Sequence, residues 1–248
     1  MTRPKEEPTT STRSEFFEAL QKGLLLGALA LLLILPPLAR GPQSPQSPGH
    51  AVMRANFGAH QPSPEARSVA DWVVDSRDHK KMSFVIVDKK DAKVYVFSPS
   101  GQLKEASVAL LGSAHGDNSV PGIGDKPLSQ VLPEEKTTPA GRFIAELGMN
   151  TKGEDIVWVD YDAAVSMHRV RANVKSEQRL ERLASPTPDD NRISFGCINL
   201  PPQFYENTLK PAVQAGGAVI YVLPETRSPA ETFAAYYDVD ARLKLAQR

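Results

Sequence analysis

The sequence predicts a β-rich α+β domain with small helices, set behind an apolar N-terminal segment. Short alternating apolar runs bounded by turn residues begin near Asp71, helical spacing between them is brief, and Gly23 to Leu35 carries no polar side chain. At 248 residues and 41% hydrophobic content, the chain can fill one core and still carry appendages. Lys+Arg 29 balances Asp+Glu 29, so no net field draws the protein to nucleic acid. His50, His60, His79, His115 and His168 show no metal-ligand spacing and only one cysteine is present, so neither a metal nor another cofactor is implied.

The N-terminal run, continued through Pro36 and Pro37 to Ala39, approaches bilayer-crossing length. A cleaved signal peptide competes with this reading, but Pro37-Leu38-Ala39 is a poor small-x-small cleavage site. Arg3, Lys5, Arg13 and Lys22 precede the run and only Arg40 follows closely, which places residues 1–22 in the cytoplasm, an anchor at 23–39, and the rest outside. Pro, Ser and Gly dominate the stretch that follows, and 40–70 is expected as a linker.

Strands are predicted at Ser83–Val87 and Lys93–Phe97, forming a hairpin about the polar turn Asp88-Lys89-Lys90-Asp91. Ser98-Pro99-Ser100-Gly101 turns the chain into a third strand, Ala106 to Leu111. The Gly- and Pro-rich stretch from His115 to Lys136 is too long for a simple connection and reads as a loop bordering a site, or as a tolerated surface insertion. Thr137 to Phe143 is a tight turn feeding a strand, and Ile156–Asp160 and Ala163–His168 extend the sheet. Ser176 is placed to cap a short helix with Leu180 and Leu183 on one face, stopped by Ser185-Pro186-Thr187-Pro188. Pro202 starts another helix, expected to end near Lys210 before Pro211, and Ala218–Leu223 closes the sheet. Residues 225–248 form a tail without a chemical motif.

Cys197 stands in Ser194-Phe195-Gly196-Cys197-Ile198-Asn199, and a lone exported cysteine with no disulfide partner is either a buried small hydrophobe or a working thiol. Together with Thr138-Pro139-Ala140-Gly141-Arg142-Phe143 and the upstream His168, this motif resembles the L,D-transpeptidase (YkuD-like) catalytic domain, over roughly Ser83 to Pro224. The resemblance implies a mixed β-sandwich over 71–224 and a periplasmic or cell-wall location; with the N-terminal segment, the expectation is a domain in the bacterial periplasm anchored to the inner membrane. The resemblance also implies a cysteine that takes an acyl group from peptidoglycan stem peptides, as in cell-wall cross-linking or remodelling.

Cys197 is then the nucleophile. A thiol is mostly protonated near neutral pH and needs a base, a role the resemblance assigns to His168. Gly196 lets the backbone turn beside the thiol, where the Gly196 and Cys197 amides can receive an oxyanion, while Ser194 and Asn199 support the loop. Phe195 departs from the family histidine before Gly-Cys, and the interval from His168 to Cys197 is lengthened by the charged 176–184 segment, a lid or a partner surface. Arg169 follows His168 where small residues are common, so a backbone carbonyl is expected to orient the imidazole. Two other classes stay open: a peptidoglycan-binding envelope protein with a degenerate site on the same fold, and an envelope scaffold whose insertion binds a protein partner.

Overall fold

The computed structural model describes residues 51–246. The segments expected as cytoplasmic (1–22) and as an anchor (23–39), and the first part of the expected linker (40–50), lie outside them; among the described residues no helix is long and apolar enough to cross a membrane.

The first element is a helix, α1 (Pro64–Ser76), so the expected linker gives way to ordered structure before residue 70. Ser63 caps it, its Oγ accepting from Ala66 N and donating to Asp88 Oδ2, and Pro64 occupies the first turn, where its missing N–H costs nothing. Ala66, Val69, Ala70, Val73 and Val74 recur at helical spacing and are all buried.

The strands are β1 (Ser83–Asp88), β2 (Lys93–Phe97), β3 (Leu103–Val108), β4 (Leu111–Gly112), β5 (Gly141–Met149), β6 (Asp155–Asp160), β7 (Val165–Arg169), β8 (Arg192–Ser194), β9 (Ile198–Leu200) and β10 (Ala218–Val222). Eight of them form one sheet in the order β3-β2-β1-β10-β5-β6-β7-β9, and β4 pairs with β8 separately. The sheet is mixed, with β1–β10 and β7–β9 parallel and the other neighbours antiparallel. The sandwich expectation is corrected in one respect: its two layers are halves of a single ladder. The N-terminal part of β5 pairs with β10 and its C-terminal part with β6, and both halves feed one core.

That core joins Val85, Val87, Val94, Val96, Ile220 and Val222 to Val157, Val165, Met167, Ile198 and Leu200. The opposite face of β1, β2 and β10, with Phe84, Ile86, Tyr95, Phe97 and Tyr221, is covered by α1, Phe57 and the C-terminal segment. β1 and β10 are therefore buried on both faces, which is why they read as near-continuous apolar runs.

The third strand ends at Val108, earlier than the apolar run, because Leu110 turns to bridge Asn199 and Leu111 pairs with β8. Ser176 does not cap the inserted helix. A 3-10 turn covers Lys175–Glu177, Gln178 takes φ 48°, and α2 (Arg179–Ala184) starts after it. The helix begun by α3 (Pro202–Phe204) does not stop at Pro211 either. It widens into a π turn at Tyr205–Leu209 and continues as α4 (Lys210–Gln214), the wider turn giving room where the proline ring would crowd the preceding turn.

The C-terminal stretch, as far as Ala246, packs against α1 and the sheet. After the short α5 (Pro229–Thr232), Phe233 stacks on Trp72 at 5.8 Å between centroids, Trp72 Nε1 donates to Ala235 O, and α6 (Val239–Ala246) follows. Phe233→Ala is expected to cost about 3–5 kcal/mol in urea unfolding, whereas Leu245→Ala, 71% exposed on α6, should stay within about 0.5 kcal/mol.

Candidate active site

Parallel pairing of β7 with β9 sets Met167 beside Ile198, both in the core, and His168 beside Asn199 on the other face. Strand alternation puts Ser166 and Cys197 on that same face. The Cys197 thiol is partly exposed, with two polar neighbours, Ser166 Oγ at 3.7 Å and Ala164 O at 3.6 Å. His168 is not hydrogen-bonded to it. It lies two residues further along the neighbouring strand, a diagonal of roughly 8 Å between Cα atoms from ideal strand spacings.

The loop bearing the thiol closes on itself. Ser194 Oγ donates to Cys197 O at 2.6 Å and accepts from Gly196 N at 3.1 Å, and Asn199 Nδ2 donates to Cys197 O at 3.2 Å. Ser194 and Asn199 thus both hydrogen-bond to the backbone of this loop. The Gly196 amide, a candidate oxyanion donor from sequence together with that of Cys197, donates instead to Ser194 Oγ. Glycine is required at 196 twice over: φ is +132°, and a Cβ would lie 2.7 Å from Thr137 O.

Thr138 ties the motif turn to this loop. Its Oγ1 donates to Gly196 O at 2.9 Å and accepts from Gly112 N at 2.9 Å. Behind it, buried Lys89 Nζ donates to Thr138 O, Gly116 O and Asp117 Oδ1, with Glu225 at 3.6 Å. Burial pushes the Lys89 ammonium down from its ordinary value, against the pull of Asp117 and Glu225. Burial acts to raise Asp117, but hydrogen bonds from Thr226, Glu225 N and Lys89 hold it well below the usual carboxylate range. The sequence showed Lys89 only as one polar residue in a turn.

His168 Nδ1 lies 2.7 Å from Arg169 O. A carbonyl only accepts, so Nδ1 carries the proton in the neutral ring and Nε2 keeps its lone pair. This is the backbone orientation expected from sequence. Arg169 holds that carbonyl in place: its guanidinium donates to Asp155 and Glu206 and lies 4.3 Å from the Tyr205 ring centre. Burial chiefly lowers the His168 pKa; the Arg169 carbonyl opposes it, and the Arg171 and Arg179 charges add to the lowering.

A cleft of about 390 Å³ opens on the His168 side, lined also by Glu154, Asp155, Arg169, Arg171 and Pro202, but not by Cys197. The inserted segment reaches the site through Arg179, whose Nη1 donates to Asn199 Oδ1 at 2.7 Å. On the other side, Lys136 Nζ sits 4.2 Å from the ring centre of Phe195, which is 41% exposed. Ser166, Lys136 and Arg179 carried no signal of their own in sequence; for Ser166 the hint was its place two residues before His168.

No protein-family model matches the chain, and no curated protein matches it. Among solved structures it is similar to several L,D-transpeptidases. The catalytic domain of the E. faecium enzyme is 17% identical over 58% of this chain and 98% of that one, with a TM-score of 0.35. The enzyme from Mycobacterium smegmatis is 18% identical, covering 56% and 58%, TM-score 0.32. The helical cell shape determining protein Pgp2 from Campylobacter jejuni is 16% identical, covering 59% and 49%, TM-score 0.36.

Gly196→Ala is expected to destabilise by about 1–3 kcal/mol or more, since backbone strain and contact with Thr137 O add. Gly153→Ala, with φ +76° and open space around it, should lose only about 1 kcal/mol in the same urea titration.

The His168 imidazole, followed by NMR, should titrate below the free value of about 6.5. A depressed histidine pKa means that the unfolded chain binds the extra proton first as pH falls. His168 therefore adds stability above the unfolded value, and that stability is lost below it, down through the folded pKa. His168→Gln should flatten the decline in this window, and an unchanged slope would show that His168 does not cause it.

Proposed function

We propose that this protein is an L,D-transpeptidase-like acyl transferase that acts on peptidoglycan stem peptides through Cys197, tethered in the bacterial periplasm by residues 23–39. The observation that carries the reading is a partly exposed thiol on a glycine-dependent loop, on the same sheet face as an imidazole whose Nδ1 is tied to a fixed carbonyl. Depression of its pKa keeps that imidazole neutral near pH 7, as a base must be.

His168 Nε2 takes the thiol proton as Cys197 Sγ attacks the carbonyl carbon that precedes the terminal D-residue. The oxyanion falls to the Cys197 N–H. As the C–N bond breaks, the imidazolium protonates the departing amine, the D-amino acid leaves, and a thioester remains. An acceptor amine, giving up a proton to His168, then attacks the thioester and releases the thiol. The diagonal between the two residues requires the Cys197 side chain to leave Ser166 and Ala164 O and swing toward His168. Those same contacts favour a second reading, a stem-peptide-binding protein whose thiol stays parked.

Incubation with stem tetrapeptide should give an intact-mass adduct on Cys197 with release of one D-amino acid. The adduct should vanish in Cys197→Ser, and its formation should slow about 10²–10⁴-fold in His168→Ala. Peptide binding without an adduct in the folded wild type would replace the enzyme by the binder. Protease digestion of spheroplasts checks the location, and a protected C-terminal reporter would overturn it.

A further inference from the structure

Phe195 and Lys136 make one device. Phe195 exposes 41% of its surface beside the thiol loop, and the Lys136 ammonium covers its ring at 4.2 Å from the centre. Among the described residues Lys136 has no carboxylate partner. Its neighbour Glu135 is engaged by Lys126 Nζ and Leu132 N. A ring face attracts a cation through its quadrupole but does not neutralise it, so the full positive charge stays available.

The charge is also held in place. Lys136 O accepts from Ala114 N, Thr137 bridges Ala114, and Thr137 O packs against Gly196, so the lysine rises from backbone braced on the thiol loop itself. Phe195 and Cys197 are two residues apart, at most about 7 Å between Cα atoms. In a peptide cleaved before its last residue, the free carboxylate lies one residue, about 3.8 Å, beyond the attacked position. A donor whose carbonyl meets Cys197 carries its carboxylate one residue beyond the thiol, and Lys136 stands over the side chain two residues from that thiol in the chain.

We infer that Lys136, seated on Phe195, is a specificity-determining residue that binds the C-terminal carboxylate of the acyl donor, and this rests on the acyl-transfer reading of Cys197. Phenylalanine suits position 195 because an imidazole there would carry a charge of the same sign as Lys136 whenever protonated. The residue that looked like a lost hydrogen-bonding group is the seat of a recognition charge.

The test compares two stem tetrapeptides, one ending in a free carboxylate and one in a carboxamide, by kcat/KM for acylation of Cys197. Wild type should prefer the carboxylate by about tenfold or more, expressed in KM. Lys136→Met should bring the ratio close to one, Lys136→Arg should retain the preference, and Phe195→Leu should reduce it. An undiminished preference in folded Lys136→Met overturns the inference, as does a wild type that treats both donors alike. Should wild type acylate with neither, the two peptides are titrated calorimetrically onto the Cys197→Ala protein with and without Lys136→Met. A carboxylate preference that disappears with Lys136 sustains the recognition role while the catalytic reading falls; equal affinities for the two peptides remove the recognition role as well.

Discussion

A single buried ammonium organises the ground on which the thiol stands. Lys89 has no exposed side-chain surface and gathers Gly116 O, Asp117 and Thr138 O, with Glu225 just beyond. Desolvating that charge is costly, and it is tolerated because each donor direction meets an acceptor and two carboxylates stand close. Asp117 in turn accepts from the backbone of Glu225, Thr226 and Arg227, while Arg192 donates to Lys89 O and pairs with Glu225. One cluster thus fastens the first hairpin, the long loop, the Thr138 turn, β8 and the chain leaving β10. From Thr138 the constraint passes to Gly196 and the thiol loop by one further hydrogen bond.

The other half of the site is set by strand register, not by charge. Parallel pairing of β7 with β9 makes Ser166 the near neighbour of Cys197 and His168 the neighbour of Asn199. Arg169 couples β6 and the α3–α4 helix to the carbonyl that fixes the imidazole tautomer, so the His168 ring is oriented by groups remote from the thiol. The inserted segment adds Arg179 on Asn199, whose amide also reaches the Cys197 carbonyl. The insertion therefore touches both halves of the site through one side chain, which is more than a surface excursion would do.

Much of the fold was legible in sequence because it rests on local pattern. Ser83–Val87, Lys93–Phe97 and Ala218–Leu223 read as strands, and each forms one. The helix α1 was legible too, since Ser63, Pro64 and the 66/69/70/73/74 spacing all lie in the sequence, but the Pro/Ser-rich composition before it masked the period. Pro211 misled because proline was read as a helix stop, whereas a π turn absorbed it. Within the site, the contacts among Ser194, Gly196, Cys197 and Asn199 were accessible because those residues are only a few positions apart. Lys89, Ser166 and Arg179 were not: their roles come from residues tens of positions distant, which only tertiary pairing brings near.

Phe195 shows how a departure from a motif can be read in two ways. From sequence it is a missing donor, and nothing local contradicts that. In the folded chain the same ring lies exposed beside a thiol, under an ammonium that no described carboxylate neutralises. Leaving a phenylalanine so exposed gives up the stabilisation its burial would provide, and leaving a cation unpaired forgoes a salt bridge. Both losses fall at or against one loop whose backbone is constrained by Thr138, Ser194 and Asn199 around a glycine that cannot be replaced without strain. Rigidity of that order is wasted on a surface loop, but it suits a site where a charge and a thiol must keep a fixed separation to meet two groups of one substrate.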